Sequence, residues 1–190
     1  VSSTIIDGVD YGPLFGLLGM WRGDRGIDKA PEPDGEDVSP FYETVFFEAC
    51  GDVDNAETQV LAVVRYHQVV HRKSNDKVFH NESGYWSWDK DSDLIMQSFS
   101  IPRGVSVVAG GKAHIDDKGR TVIEVSAKKG DDEWGIVEAP FMRDNASSRS
   151  FQKKIILDGD SMIYNEATLL DIYGREYNHT DANRLQRDPQ

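Results

Sequence analysis

From Phe41 onward the sequence is a succession of β-type runs, each broken by turn residues at roughly 10–15-residue intervals, and that rhythm leaves few folds open. Phe41–Cys50, rich in Phe, Tyr, Thr and Val, ends at Gly51-Asp52-Val53-Asp54-Asn55. Thr58–Arg72 ends at Lys73-Ser74-Asn75-Asp76, and Lys77–Trp88 at Asp89-Lys90-Asp91-Ser92-Asp93. Leu94–Ile101 follows, then Gly104–Ala109 and Lys112–Ile115 around Gly110-Gly111, which reads as a bulge or bend. Thr121–Lys129, Gly135–Phe141, Arg149–Leu157 and Met162–Tyr173 complete the series, with hairpin turns at Asp116-Asp117-Lys118-Gly119 and Asp158-Gly159-Asp160. Helical signal is confined to Tyr11–Leu18, where Pro13 stands before Leu14, Phe15, Leu17 and Leu18 and suits one or two turns. There is no βαβ alternation and no phosphate-binding glycine loop. About ten strands and one short N-terminal helix predict an all-β, antiparallel up-and-down barrel, with a sandwich as the alternative. Closure removes unpaired edges and lets a barrel of this size enclose a ligand.

The 190 residues suffice for one barrel domain with its own core, without a disulfide or zinc staple. Lys plus Arg number 21 against 33 Asp plus Glu, and the net charge of -12 argues against nucleic acid or an anionic membrane as partner. Cys50 is the one cysteine, so an intrachain disulfide and a Cys-based zinc site are excluded. Its place after an apolar run reads as a buried structural thiol. No apolar run approaches the ~20 residues of a membrane-spanning helix. Residues 1–10 read as an N-terminal extension without the basic start and apolar block of a signal peptide, which makes the cytoplasm the expected compartment. Asp28–Val38, with Pro31, Pro33 and a run of acids, reads as a solvated loop near the barrel mouth. Residues 183–190 read as a polar, fraying tail.

None of the five histidines has a recognised zinc spacing. His67 and His71 on one strand would stand about 13 Å apart at a ~3.3 Å rise, too far for one metal, and read as sheet-face residues. Lys77–Trp88 is more informative. Period 2 puts His80, Glu82, Gly84, Trp86 and Trp88 on one face, an imidazole and a carboxylate followed by two indoles. A His–Glu pair at i,i+2 can handle a proton or can be a satisfied structural pair. His179, just beyond the last expected strand, has no spacing that singles it out.

Four segments in order resemble the nitrobindin-like barrels, a family also described as fatty-acid-binding-protein-like haem-binding β-barrels. They are Gly12-Pro13-Leu14-Phe15-Gly16-Leu17-Leu18-Gly19-Met20-Trp21-Arg22-Gly23, then His80-Asn81-Glu82-Ser83-Gly84-Tyr85-Trp86, then Pro102-Arg103-Gly104 to Gly110-Gly111, and last His179-Thr180-Asp181-Ala182. The resemblance implies a lipocalin-like ten-stranded barrel. It also implies haem b bound through His179 as proximal iron ligand, and with haem bound, nitric oxide binding or isomerisation of peroxynitrite to nitrate. Trp21, His80 and Trp86 are the expected haem neighbours, and Arg22, Arg25 and Arg103 the candidate partners of propionates. The family's Gly-x-Gly-x-Tyr-Pro element is missing after Trp21, and Thr180 stands where Leu often follows the terminal histidine. Both departures fall at the expected haem pocket.

Two rival readings stay open. In one the barrel carries a fatty acid or another apolar carboxylate, gripped by Arg175 and Tyr177 on one strand face. In the other it is a haem-free enzyme working through the His80–Glu82 face. The partner in the haem and the fatty-acid readings is a small apolar or haem-like molecule, and the sequence leaves a homodimer open.

Overall fold

The computed structural model describes residues 3–189. Val1 and Ser2 of the expected extension and Gln190 of the expected tail lie outside the described residues. A small hairpin of β1 (Ile5–Ile6) and β2 (Val9–Asp10) leads into a 3-10 helix at Gly12–Leu17. Next come β3 (Gly19–Glu32), β4 (Gly35–Ala56), β5 (Gln59–Arg72), β6 (Val78–Asp89), β7 (Leu94–Ile101), β8 (Val105–Ile115) and β9 (Thr121–Lys128). β10 (Ile136–Glu138) and a helix α1 (Pro140–Asn145) precede β11 (Ala146–Asp158), β12 (Ser161–Ile172) and β13 (Arg175–Arg187). From β3 to β9 each strand pairs with the next. β9 then pairs with β11, β11 with β12, β12 with β13, and β13 returns to β3, closing ten antiparallel strands into the expected barrel. β10 is an extra strand beside the start of β8.

Alternation of side chains divides each strand between wall and interior. On β11, Phe151, Lys153, Ile155 and Leu157 are buried while Gln152 and Lys154 are exposed. The 3-10 helix plugs one end. Leu14 and Leu17 are fully buried there, Gly16 lies close against Leu157, and the Trp21 Nε1–H donates to the Leu17 carbonyl at 2.6 Å. Each such apolar side chain removed from water contributes about 1.5–3 kcal/mol.

Four expectations are corrected. Asp28–Val38 is not a loop: β3 and β4 run through it as a ladder from Asp28↔Ser39 to Glu32↔Gly35, turned by Pro33-Asp34. β13 pairs β3 only as far as Lys29, so Pro31 lies on a stretch of β3 with a free edge, the setting that tolerates proline. Residues 183–187 are not a tail. They complete the closing strand β13, with Asn183 and Leu185 buried and the Arg187 guanidinium 4.3 Å from the Trp21 ring centroid. Gly135–Phe141 yields only the three residues of β10, because Pro140 opens helix α1. Cys50 is exposed, since the β4 ladder slips between Ala49 and Asp52. His67 and His71 do face outward, one meeting Asn81 and the other stacked on Tyr42.

Gly84 shows what the Gly-Tyr-Trp run does. A Cβ there would lie 2.1 Å from the Ser98 carbonyl oxygen and 2.7 Å from Phe99 Cβ, so β6 and β7 meet too closely for any side chain. Gly84→Ala is expected to destabilise the barrel by about 1–3 kcal/mol through overpacking. A lower urea midpoint at unchanged m-value is the expected reading, and an unshifted midpoint would refute it.

Candidate functional site

Inward positions on seven strands stack polar groups above the apolar plug. The Glu43 carboxylate on β4 accepts hydrogen bonds from Gln68 Nε2 at 2.5 Å, Asn183 Nδ2 at 2.7 Å and Tyr164 Oη at 2.8 Å. Burial nonetheless pushes its carboxyl up from the ordinary carboxylate value. Tyr66 Oη donates to Glu82 and accepts from Gln97 Nε2 at 2.7 Å. Lys153, 6% exposed, sets its Nζ 2.8 Å from Glu166 and 4.0 Å from Glu82. Burial alone would discharge this lysine, but the charges of Glu166 and Glu82 outweigh it and hold the ammonium charged. Burial likewise works against ionised Glu82, and Lys153 and His80 overcome it. Little space is left in this layer, where the remaining void is about 20 Å³.

At the open end lies a cavity of about 170 Å³, lined by Asp28, Phe41, Arg72, His80, Glu166 and His179 among others. His179 Nε2 is 2.6 Å from Asp28 Oδ1 and 3.6 Å from Asp181 Oδ2. Burial opposes protonation of His179, while its hydrogen bond to Asp28 and the charge of Asp181 favour it, with a net rise. The Asp181 carboxyl is raised well above the usual range, first by burial and then, against the pull of His179, by the charges of Glu166 and Asp28. A larger hollow of about 580 Å³ crosses the outer wall of β8, β9 and β11–β13, but its outward side chains, such as Ser126, Gln152 and Ala167, bring no comparable chemistry together.

His80 Nε2 lies 3.3 Å from Glu82 Oε2. Burial lowers its pKa, but the hydrogen bond and charge of Glu82 prevail and bring it to about 8 from 6.5. A folded-state value above the unfolded one makes this pair stabilising below about pH 6.5, with the contribution lost as pH rises through about 8. The melting-temperature gap between wild type and His80→Gln is therefore expected at pH 6 and should vanish by pH 9. A gap constant across that range would refute the coupling.

The structure brings together only some of the residues singled out in the sequence. His179 and His80 both reach the mouth cavity. Trp21 and Trp86 are buried in the apolar core instead, Trp21 against the 3-10 helix and Trp86 beside Tyr66. Arg22 is paired outside with Asp188, Arg25 lies exposed beside Asp24, and Arg103 is exposed in the β7–β8 turn. Arg175 donates to the carbonyls of Glu32 and Gly35, and Tyr177 Oη donates to Glu36 at 2.6 Å, so this pair grips the chain's own β3–β4 hairpin. Asp28, Arg72, Glu166 and Asp181 were not foreseen. Asp181 follows from the i,i+2 alternation once His179 is placed on a strand, whereas Asp28 was hidden by its proline-rich setting.

Fold and mouth together define a ligand-binding antiparallel β-barrel closed at one end and open at the other. The chain belongs to the family described as THAP4-like, heme-binding beta-barrel domain, whose model matches residues 10–187. Among solved structures it is similar to the crystal structure of Rv2717c from M. tuberculosis, at 21% identity and a TM-score of 0.70, covering 92% of this chain and 94% of that chain, a likeness of fold. No curated protein matches the sequence. Among the described residues no helix is long and apolar enough to cross a membrane.

The residues at the mouth do not fit a b-type haem as they stand. The His179 nitrogen that iron would need is engaged by Asp28. The cavity, about 170 Å³, falls below the ~300–1,000 Å³ of pockets that take drug-sized ligands, and a porphyrin is large for that class. The floor is a charged, hydrogen-bonded layer in place of an apolar interior.

Proposed function

We propose that this chain is a small-ligand-binding barrel whose ligand is a compact polar ion or molecule held at the mouth beside His80 and His179. The observation that carries this reading is the single cavity into which both imidazoles and the Asp28 carboxylate project, above a polar layer that seals the interior. Native mass spectrometry of the purified protein tests it. A bound species smaller than a porphyrin, lost in His179→Ala, is the expected result. A protein without any bound species, or one whose bound species survives His179→Ala, would overturn it.

Membership of a haem-binding family favours a second reading, haem b on His179 with nitric oxide binding or peroxynitrite isomerisation. It requires Asp28 to release Nε2 and the mouth to widen. The fatty-acid reading draws less support, since Arg175 and Tyr177 are occupied by the hairpin and an acyl chain would have to cross the Glu43–Lys153 layer. A haem-free enzyme remains compatible with His80 and Glu82, which face inward.

A further inference from the structure

Resting on the reading of the mouth as the ligand site, we infer that its ligand is a divalent first-row transition-metal ion held directly by Asp28, His179 and Asp181. One donor atom from each of these residues lies within 4.8 Å of the other two. Zinc bonds of about 2.0–2.2 Å to imidazole nitrogen and carboxylate oxygen place neighbouring ligand atoms roughly 3.3–3.5 Å apart in a tetrahedral site. The observed 2.6 Å and 3.6 Å bracket that spacing, so small side-chain rotations would admit the ion.

Charge points the same way. Glu166 has Lys153 as its cation, but among the described residues no lysine or arginine nitrogen lies within 4.0 Å of Asp28 or Asp181. Asp28 is only 2% exposed. A buried carboxylate is costly without a counter-charge, and among the described residues the one cationic group within ion-pair distance of these two, the protonated His179 ring, is shared between them. Once the ion has displaced the protons held among these groups, two carboxylates and a neutral imidazole carry a charge that one divalent cation cancels. The ligands come from adjacent strands, Asp28 lying directly opposite Asp181 in the β3–β13 ladder and His179 two residues along the same face, so the wall itself fixes their spacing. The donor set, one nitrogen and two oxygens, suits zinc, manganese or ferrous iron better than a soft thiolate-seeking ion. Three protein ligands beside an open cavity also leave a coordination position for water or a further small molecule, the pattern of reactive rather than purely structural metal sites.

Calorimetric titration of the metal-stripped full chain with Zn²⁺, repeated with Co²⁺ to read its visible d–d bands, tests the assignment. One ion per chain is expected, with affinity reduced on the order of a hundredfold in His179→Gln and in Asp181→Asn. His114→Gln, on the outer wall, is the control for adventitious surface binding and should match wild type. Absence of binding, several weak equivalents, or binding unchanged in both site variants would overturn the metal assignment. Circular dichroism of each variant separates lost binding from lost fold, and Asp181→Glu, which keeps the carboxylate, should restore part of the affinity. An organic adduct that depends on His179 in native mass spectra, with no Zn²⁺ site, would sink the metal and leave the mouth as ligand site. Neither adduct nor metal would sink both.

Discussion

Lys153→Met is expected to destabilise the barrel by about 3–5 kcal/mol, the usual effect of removing one partner from a buried ionic cluster. For a chain of this size that corresponds to a melting temperature lower by roughly 6–20 °C. Lys153 is the one lysine in the polar layer, within 4.0 Å of Glu82 and 2.8 Å of Glu166, and its Nζ also sits 5.2 Å from the centroid of the Tyr164 ring. Methionine keeps most of the volume, so the loss measures charge rather than a cavity. What remains is Glu82 with His80 as its only cationic neighbour, and Glu166 with none within ion-pair distance among the described residues. Neutralising a carboxylate should then recover stability. Glu166→Gln in the Lys153→Met background is expected to be more stable than Lys153→Met alone, although Glu166→Gln in the wild type is destabilising. That reversal of sign is the signature of a coupled pair in a double-mutant cycle. A loss below about 1 kcal/mol for Lys153→Met would mean that water screens the layer as it does surface pairs.

The barrel was legible in the sequence because its determinants are local. Alternation and turn residues recur from Phe41 to Tyr173, and each wall strand in that span was anticipated, although β4 continues through the expected turn Gly51–Asn55 and β8 runs without a bulge through Gly110-Gly111. The misreadings arose where a local rule met long-range closure. Pro31 argues against a strand in isolation, yet β3 is unpaired on one side at that point. Asn183-Arg184-Leu185-Gln186-Arg187 looks like a tail until β12 and β3 supply ladders on both sides. The site was half legible for the same reason. His80 and Glu82 share one strand, and their common face follows from period 2. Asp28 and His179 are 151 positions apart and meet only because β13 closes the barrel against β3. Cys50 and Trp21 show the converse. Their residue types suggested a buried thiol and a haem neighbour, while a ladder slip and the 3-10 helix settled where they lie.

Asp28→Ala is expected to gain haem where the wild type shows little or none. In titrations of the apo protein with hemin, the wild type should give no histidine-dependent Soret band, because Asp28 holds Nε2 and a porphyrin exceeds the cavity. Removing that carboxylate frees the nitrogen, enlarges the mouth and lessens the charge that favours an imidazolium over the neutral ligand form. The gain in apparent affinity should be on the order of 10–100-fold, the range in which groups hydrogen-bonded to a metal-binding histidine act. Adding His179→Ala to Asp28→Ala must abolish the new band, which separates iron ligation from hemin adsorbed on exposed apolar residues such as Phe46 or Phe141. The same substitution should weaken Zn²⁺ binding, so one carboxylate would move the site in opposite directions for the two metals. That opposition is what distinguishes a histidine recruited into a carboxylate-bearing ion site from a haem histidine that merely carries a hydrogen-bonded neighbour. A wild type that takes up hemin stoichiometrically through His179, with no gain in Asp28→Ala, would show that Asp28 yields readily and would restore haem as the leading ligand of this mouth.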